Sequence, residues 1–171
     1  MKGNPFTLQF GIEPNQFINR LSPTEHILNT FQAETPSTSL FLISGIRGSG
    51  KTVLLTTIAD TLNKKDNWIT INVTPDTDIL SGIASKLYSR PELQKLFIKA
   101  GLDLSFFGIG VKLEKSTPFF DLTTALERML KELAKKGLRV LITMDEAVSN
   151  RYVKTFASTF RYLYGRNYRS T

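Results

Sequence analysis

The sequence predicts an α/β fold in which helices cover both faces of a parallel sheet, and two observations support this prediction. Three short apolar runs, at residues 40–44, 68–73 and 140–144, have the length and composition of buried strands. Segments with apolar residues at helical spacing lie between and after these runs. Because parallel strands are joined by crossover helices, this alternation indicates a sheet packed between helical layers.

Size and composition are those of a globular protein. The 171 residues suffice for one domain with a hydrophobic core, and 41% hydrophobic with 22% charged residues is typical of soluble proteins. No apolar run approaches the roughly 20 residues of a membrane span, and the N-terminus lacks the pattern of a signal peptide. We therefore expect a cytoplasmic protein with no membrane span. The absence of Cys and the single His exclude disulfides, thiolate zinc sites and multi-histidine metal centres.

The N-terminal part, residues 1–38, is interpreted as an irregular arm followed by a capping helix. Ser22, Pro23 and Glu25 form a helix start, with a cap, a proline at the first helical position and a glutamate that completes a capping box. Apolar residues follow at helical spacing. A predicted core of residues 39–164 comes next, followed by a basic tail of residues 165–171.

Within this core, the first apolar run leads through a glycine-rich turn into a helix, and two helical segments divided at Pro91 follow the second run. Residues 104–115 alternate apolar and polar side chains, which predicts a hairpin or small β-insert. Asp121 is the expected cap of a long helix that ends at Gly137. A last helix follows the third apolar run.

The turn at residues 45–52 fits the pattern G-x-x-x-x-G-K-[ST] between a predicted strand and a predicted helix. Its glycines let successive backbone N–H groups point into one phosphate-binding concavity, and the positive end of the following helix adds to the attraction. Lys51 would act catalytically as a point charge on the β- and γ-phosphates, and Thr52 would offer its hydroxyl to Mg²⁺. Arg47 would either contact the γ-phosphate or face solvent. The candidate nucleotide-binding residues of this segment are Gly45, Ile46, Arg47, Gly48, Ser49, Gly50, Lys51, Thr52 and Val53.

Two acids, Asp145 and Glu146, follow the third apolar run. Ligands of parallel α/β sheets bind beyond the carboxyl ends of the strands, where these acids would lie. Asp145 would hold Mg²⁺ opposite Thr52, and Glu146 would orient and deprotonate an attacking water. The competing interpretation is that both acids cap the last helix, a position that favours acidic side chains.

Together, residues 45–52 and 140–146 resemble the Walker A and Walker B motifs of AAA+-type P-loop ATPases, in the branch that includes archaeal-type, replication-initiator and STAND signalling ATPases. The resemblance spans roughly residues 10–160. It implies a P-loop NTPase three-layer sandwich, ATP and Mg²⁺ as ligands, and ATP hydrolysis that switches contacts with DNA or a protein partner. Residues 17–20 resemble the F-[IV]-G-R-like box of that branch, which implies that Phe17 and Ile18 cover the adenine; Asn19 departs from the box.

The C-terminal segment departs further from the family. The family core has about five parallel strands, whereas this sequence predicts three, and residues 161–168 are too rich in Arg and Tyr for the buried strand expected there. We therefore expect an incomplete core, with partner-binding domains and the arginine finger outside this sequence. Whether the chain forms a homo-oligomer stays open.

Charge is concentrated in the same segment. Residues 151–171 carry five basic side chains and no acid, and so account for five of the seven net positive charges. This pattern indicates nucleic acid, an acidic partner or simply a solvated helix face. Three functions remain open: an ATPase, a nucleotide-binding module without turnover, and a small-molecule P-loop kinase.

Overall fold

The computed structural model describes residues 21–110, 112–114, 118–119 and 121–167, which form a mixed α/β structure. Its elements, in chain order, are α1 (Leu21–Gln32), α2 (Lys51–Asn63), β1 (Trp68–Val73), α3 (Ile79–Tyr88), α4 (Pro91–Lys99), a 3₁₀ turn (Ser105–Phe107), α5 (Leu122–Ala134), β2 (Arg139–Met144) and α6 (Arg151–Asn167). The chain divides into two compact units, one ending at Ile58 and the other beginning at Ala59.

The two strands of the second unit pair in parallel, with Trp68 opposite Arg139 and Val73 opposite Met144. Their β-branched residues pack into one hydrophobic core with α3, α4 and α5, which confirms the α/β class and the strands predicted at residues 68–73 and 140–144. Phe97 and Leu87 are fully buried at the centre of this core. Because the strands are parallel and in register, their carboxyl ends lie at the same edge of the sheet.

The outer edge of β1 is covered by cations from the helices that follow it. Lys86 of α3 donates to the carbonyl of Asn72 at 2.5 Å, and Arg90 donates to the carbonyl of Thr70 at 3.1 Å. These carbonyls alternate along the strand with those that face β2. Two backbone acceptors of an edge strand are thereby satisfied, and β1 is protected from pairing with another strand.

The ends of α5 follow the capping residues predicted from sequence. The carboxylate of Asp121 accepts hydrogen bonds from the N–H groups of Thr123 and Thr124 at 3.3 and 2.8 Å, which confirms it as the cap of α5. These bonds and the Thr124 hydroxyl lower the pKa of Asp121. Gly137, at φ 69°, terminates the other end as predicted. Within the described ranges, the helices are too short or too polar to cross a membrane.

The strand predicted at residues 40–44 is absent, and this prediction is wrong. These residues are irregular, and Leu40 and Leu42 are 68% and 87% exposed. Phe41 packs edge-to-face against His26 and Phe31, with ring centroids 5.9 and 5.2 Å apart. A strand needs a neighbour for its backbone groups, and none of the described residues pairs with this run. The sheet of the described residues therefore has two strands rather than the predicted three.

The hairpin predicted at residues 104–115 is also wrong for the residues of that range that are described. A 3₁₀ turn begins at Ser105, and Gly108 and Gly110 adopt φ values of 70° and 73°, which interrupt any extended pairing. The buried carboxylate of Asp103 accepts hydrogen bonds from the N–H groups of Ser105 and Leu113, at 3.0 and 2.9 Å. A side chain thus supplies the acceptors that a partner strand would have offered.

Gly110 is expected to tolerate no side chain. A Cβ at this position would lie 2.3 Å from the ring of Tyr88, which stacks on Phe97 at 6.1 Å. We expect Gly110→Ala to destabilise the fold by about 2–4 kcal/mol, from positive φ and overpacking together. Gly82 of α3 is the matched control, because a Cβ there meets nothing within 4 Å and alanine favours a helix. The urea midpoint of unfolding should therefore fall for Gly110→Ala and rise for Gly82→Ala. Equal shifts of the midpoint would contradict the packing argument.

Asp103 is expected to make the free energy of unfolding depend on pH in the acidic range. The hydrogen bonds from Ser105 and Leu113 hold the pKa of its carboxyl below the usual value, so folding favours the ionised form. The resulting stabilisation is present above the unfolded-state pKa of about 3.9 and is lost as pH falls through the folded-state value. Asp103→Asn should lower the urea midpoint at neutral pH, and the difference from wild type should shrink in acid. Asp66→Asn, at an exposed position, is the control; a pH-independent difference at Asp103 would exclude this linkage.

A candidate phosphate-binding loop and an acidic strand end

The predicted phosphate loop forms a tight turn that leads directly into α2. The N–H of Ser49 donates to the carbonyl of Ile46 at 3.2 Å, which closes the turn. Gly48 and Gly50 adopt φ values of 77° and 79°, in the left-handed region that other residues rarely occupy. A Cβ at Gly45 would lie 2.7 Å from the hydroxyl oxygen of Ser49, the end of a side chain that can rotate. A local backbone requirement for glycine is therefore present at Gly48 and Gly50.

Lys51 folds back over this turn from the first position of α2. Its ammonium donates to the carbonyls of Gly45 and Ile46, both at 2.9 Å. The positive charge is thereby held above the start of the loop, in the position where it would meet phosphate oxygens. The bonds lie in an exposed region and are worth little in stability, so an anion of higher charge can replace the two carbonyls as acceptor.

The N-terminus of α2 adds donors to the same place. The first hydrogen bond of the helical ladder joins the Leu54 N–H to the Gly50 carbonyl at 3.0 Å, so the preceding N–H groups lie outside that ladder. They carry the partial positive charge of the helix dipole. The chemistry of this donor set, which combines N–H groups, one ammonium and the Thr52 hydroxyl, fits a phosphate chain with its magnesium ion.

The remaining loop residues face solvent. Ile46 and Val53 are 82% and 60% exposed, and Arg47 and Thr52 are also exposed. The structure thus brings together all nine of the nucleotide-binding residues predicted between residues 45 and 53. Phe17 and Ile18, the predicted adenine-side residues, lie outside the described residues, as does the rest of the predicted N-terminal arm.

The acidic pair lies directly after β2 in the second unit, at the carboxyl edge of the sheet. The N–H of Glu146 donates to the carboxylate of Asp145 at 2.9 Å. Glu146 is exposed and adopts φ 51°, the only positive value of a described residue other than glycine. This conformation costs a non-glycine residue about 1–2 kcal/mol and sharply turns the chain away from the strand direction. Strain of this kind concentrates at functional sites.

Asn150, rather than either acid, caps the last helix. Its side-chain oxygen accepts from the N–H of Val153 at 2.9 Å, and its carbonyl accepts from the N–H of Lys154 at 3.1 Å. The cap of α6 is therefore Asn150, and the capping role considered for Asp145 and Glu146 is wrong. The sequence carried a usable signal, because Asn is among the preferred capping residues.

Two further polar contacts at this edge were not predicted. Asn150 also donates through its side-chain nitrogen to the carbonyl of Pro75 at 2.9 Å, which ties the segments following β1 and β2 together. The side-chain oxygens of Thr143 and Asn72 lie 3.5 Å apart across the two strands. Only the strand register places Thr143 opposite Asn72, so no local sequence pattern signals this pair.

The loop belongs to the first unit and the acidic pair to the second. No group of three or more potential His, Cys, Asp or Glu metal ligands is found among the residues that the structure covers. A scan against protein-family models, a search of curated proteins and a search of solved structures each find no match.

Proposed function

We propose that residues 45–53 bind the phosphates of ATP and that the chain is an ATPase module of the AAA+/STAND type. The observation that carries this proposal is the loop itself: two left-handed glycines, a third glycine in close contact with Ser49, and an ammonium held above the turn. A glycine-rich turn that served only to connect two elements would not require a lysine over its own carbonyls.

Each residue of the proposed site has a distinct task. The N–H groups at the start of α2 and the Lys51 ammonium bind phosphate oxygens and orient the phosphate chain. In the first unit, Thr52 would supply a hydroxyl to Mg²⁺, which neutralises phosphate charge when bound. For the acidic pair of the second unit, we propose that Asp145 is a carboxylate ligand and that Glu146 is the general base. Glu146 would accept a proton from the attacking water as the bond from the γ-phosphorus to the bridging oxygen breaks and ADP leaves.

Isothermal titration calorimetry of the whole chain with ATP and Mg²⁺ tests the proposal directly. We expect saturable one-to-one binding of ATP and weaker binding of AMP, because the loop recognises the β- and γ-phosphates. Equal affinities for ATP and AMP would contradict phosphate-chain recognition. If the chain is folded by circular dichroism and yet gives no heat of binding, the proposed ATP site is wrong.

Nucleotide binding without turnover is the second candidate. The observation that favours it is the exposed, irregular segment at residues 40–44, which lacks the strand that precedes the loop in the resembling ATPases. A steady-state phosphate-release assay on the chain that binds ATP separates the two functions. Bound ATP with no released phosphate would favour the switch-like binding module.

A further inference from the structure

Helix α6 presents two sides of different chemistry. On one side, Tyr152, Val153 and Phe156 are partly buried and pack against the hydrophobic core. On the other side lie Arg151, Lys154, Ser158 and Arg161, all of them exposed, which we call the basic face. With 3.6 residues per turn, these four positions lie within about 80° of one another around the helix axis.

The cations of the basic face differ from those at α5, which pair with carboxylates. Arg128 and Lys131 of α5 and Lys135 at its C-terminal end pair with Glu127 or Glu132 at 2.7–3.6 Å. No such ion pair involves Arg151, Lys154 or Arg161 in the described part of the chain, and the sequence contains no acid from residue 147 onward. The positive potential along α6 is therefore not compensated locally.

We infer that the basic face of α6 binds the sugar–phosphate backbone of a nucleic acid. Lys154 lies about 4.5 Å and Arg161 about 15 Å along the axis from Arg151, a spread that reaches several successive phosphates. Arginine binds phosphate through two parallel hydrogen bonds, whereas the Ser158 hydroxyl within the stripe donates to the carbonyl of Thr155 at 2.9 Å. Tyr162, beside Arg161, is 50% exposed and offers a ring on which an unpaired base can stack, so single strands are bound more tightly than duplexes.

An acidic protein is the alternative partner, and the features of the face argue against it. The ring of Tyr162, 50% exposed at the end of the stripe, favours a nucleic acid, because bases stack on aromatic rings and carboxylates do not. The inference concerns α6 alone and does not depend on the proposed nucleotide site, so its test is made without ATP.

Fluorescence anisotropy with a labelled single-stranded oligonucleotide, at several salt concentrations, tests this inference on the whole chain. The double variant Lys154→Glu, Arg161→Glu should bind about 10-fold or more weakly, and the slope of log affinity against log salt should fall by about 1.4 for two lost phosphate contacts. The matched control is Lys95→Glu, Lys99→Glu, which changes net charge equally at two exposed positions of α4. It should keep its affinity within about 2-fold.

Three results would overturn the inference. Equal losses of affinity in the two double variants would show that net charge alone attracts the oligonucleotide. Tighter binding of a poly-glutamate chain than of the oligonucleotide would assign the face to an acidic protein. Absence of oligonucleotide binding by the wild-type chain at low salt would mean that the basic face is only solvated and binds no nucleic acid. Circular dichroism of each variant ensures that lost binding is not lost folding.

Discussion

Replacing Lys51 with alanine is expected to weaken ATP binding by about 100-fold or more. The ammonium contacts two loop carbonyls at 2.9 Å in the free chain, and we propose that it transfers to the β- and γ-phosphates when ATP binds. A charge-assisted hydrogen bond contributes about 1.5–3 kcal/mol, so loss of two such bonds corresponds to at least a hundredfold in affinity. Calorimetric titration with ATP and Mg²⁺ measures the effect.

The same substitution should leave the fold intact, because the two lysine hydrogen bonds lie in an exposed region. The control is Lys64→Ala, which removes an exposed lysine just beyond the other end of α2 and should bind ATP as the wild-type chain does. Unchanged affinity in the Lys51 variant would mean that ATP binds elsewhere. Equal weakening in both variants would mean that the titration reports only the general attraction of a basic chain for a polyanion.

The turn at residues 45–52 could be predicted from sequence because its geometry is local, whereas the strand predicted before it is absent. Gly48 and Gly50 are favoured by their positive φ angles, and Lys51 reaches carbonyls only five and six positions away. The helices and the two strands could likewise be predicted, since their periodicity and caps are local signals. The strained turn at Glu146 has no such signal, because no residue pattern marks a glutamate for φ 51°.

The two failures of prediction arose where a pattern depends on a partner. An apolar run such as residues 40–44 predicts burial, but burial as a strand requires a neighbouring strand, and composition does not reveal whether one is present. Alternation at residues 104–115 predicted a hairpin, whereas Asp103 supplies the acceptors and Gly110 fits against Tyr88. At residues 104–115 tertiary contacts overrode the local pattern, whereas at residues 40–44 none of the described residues pairs with the run.

Replacing Glu146 with glutamine is expected to reduce ATP turnover by about 10²–10⁴-fold and to leave ATP affinity nearly unchanged. The proposed task of Glu146 is to accept a proton from the attacking water, which a carboxamide cannot do, and general-base catalysis contributes rate factors of that size. Glutamine matches glutamate in size, and the conformational free energy of a positive φ of 51° is the same for both residues. The strained turn therefore remains. The backbone N–H that donates to Asp145 is also retained.

Two measurements on this variant separate catalysis from binding and from folding. Single-turnover phosphate release should be lost while calorimetric affinity persists, because a general base acts in the transition state and not on bound ATP. Glu114→Gln, at an exposed position outside the helices and strands, is the matched control and should turn over normally. If Glu146→Gln hydrolysed ATP at the wild-type rate, another residue would have to activate the water. The positive φ of Glu146 would then serve only to direct the backbone toward α6.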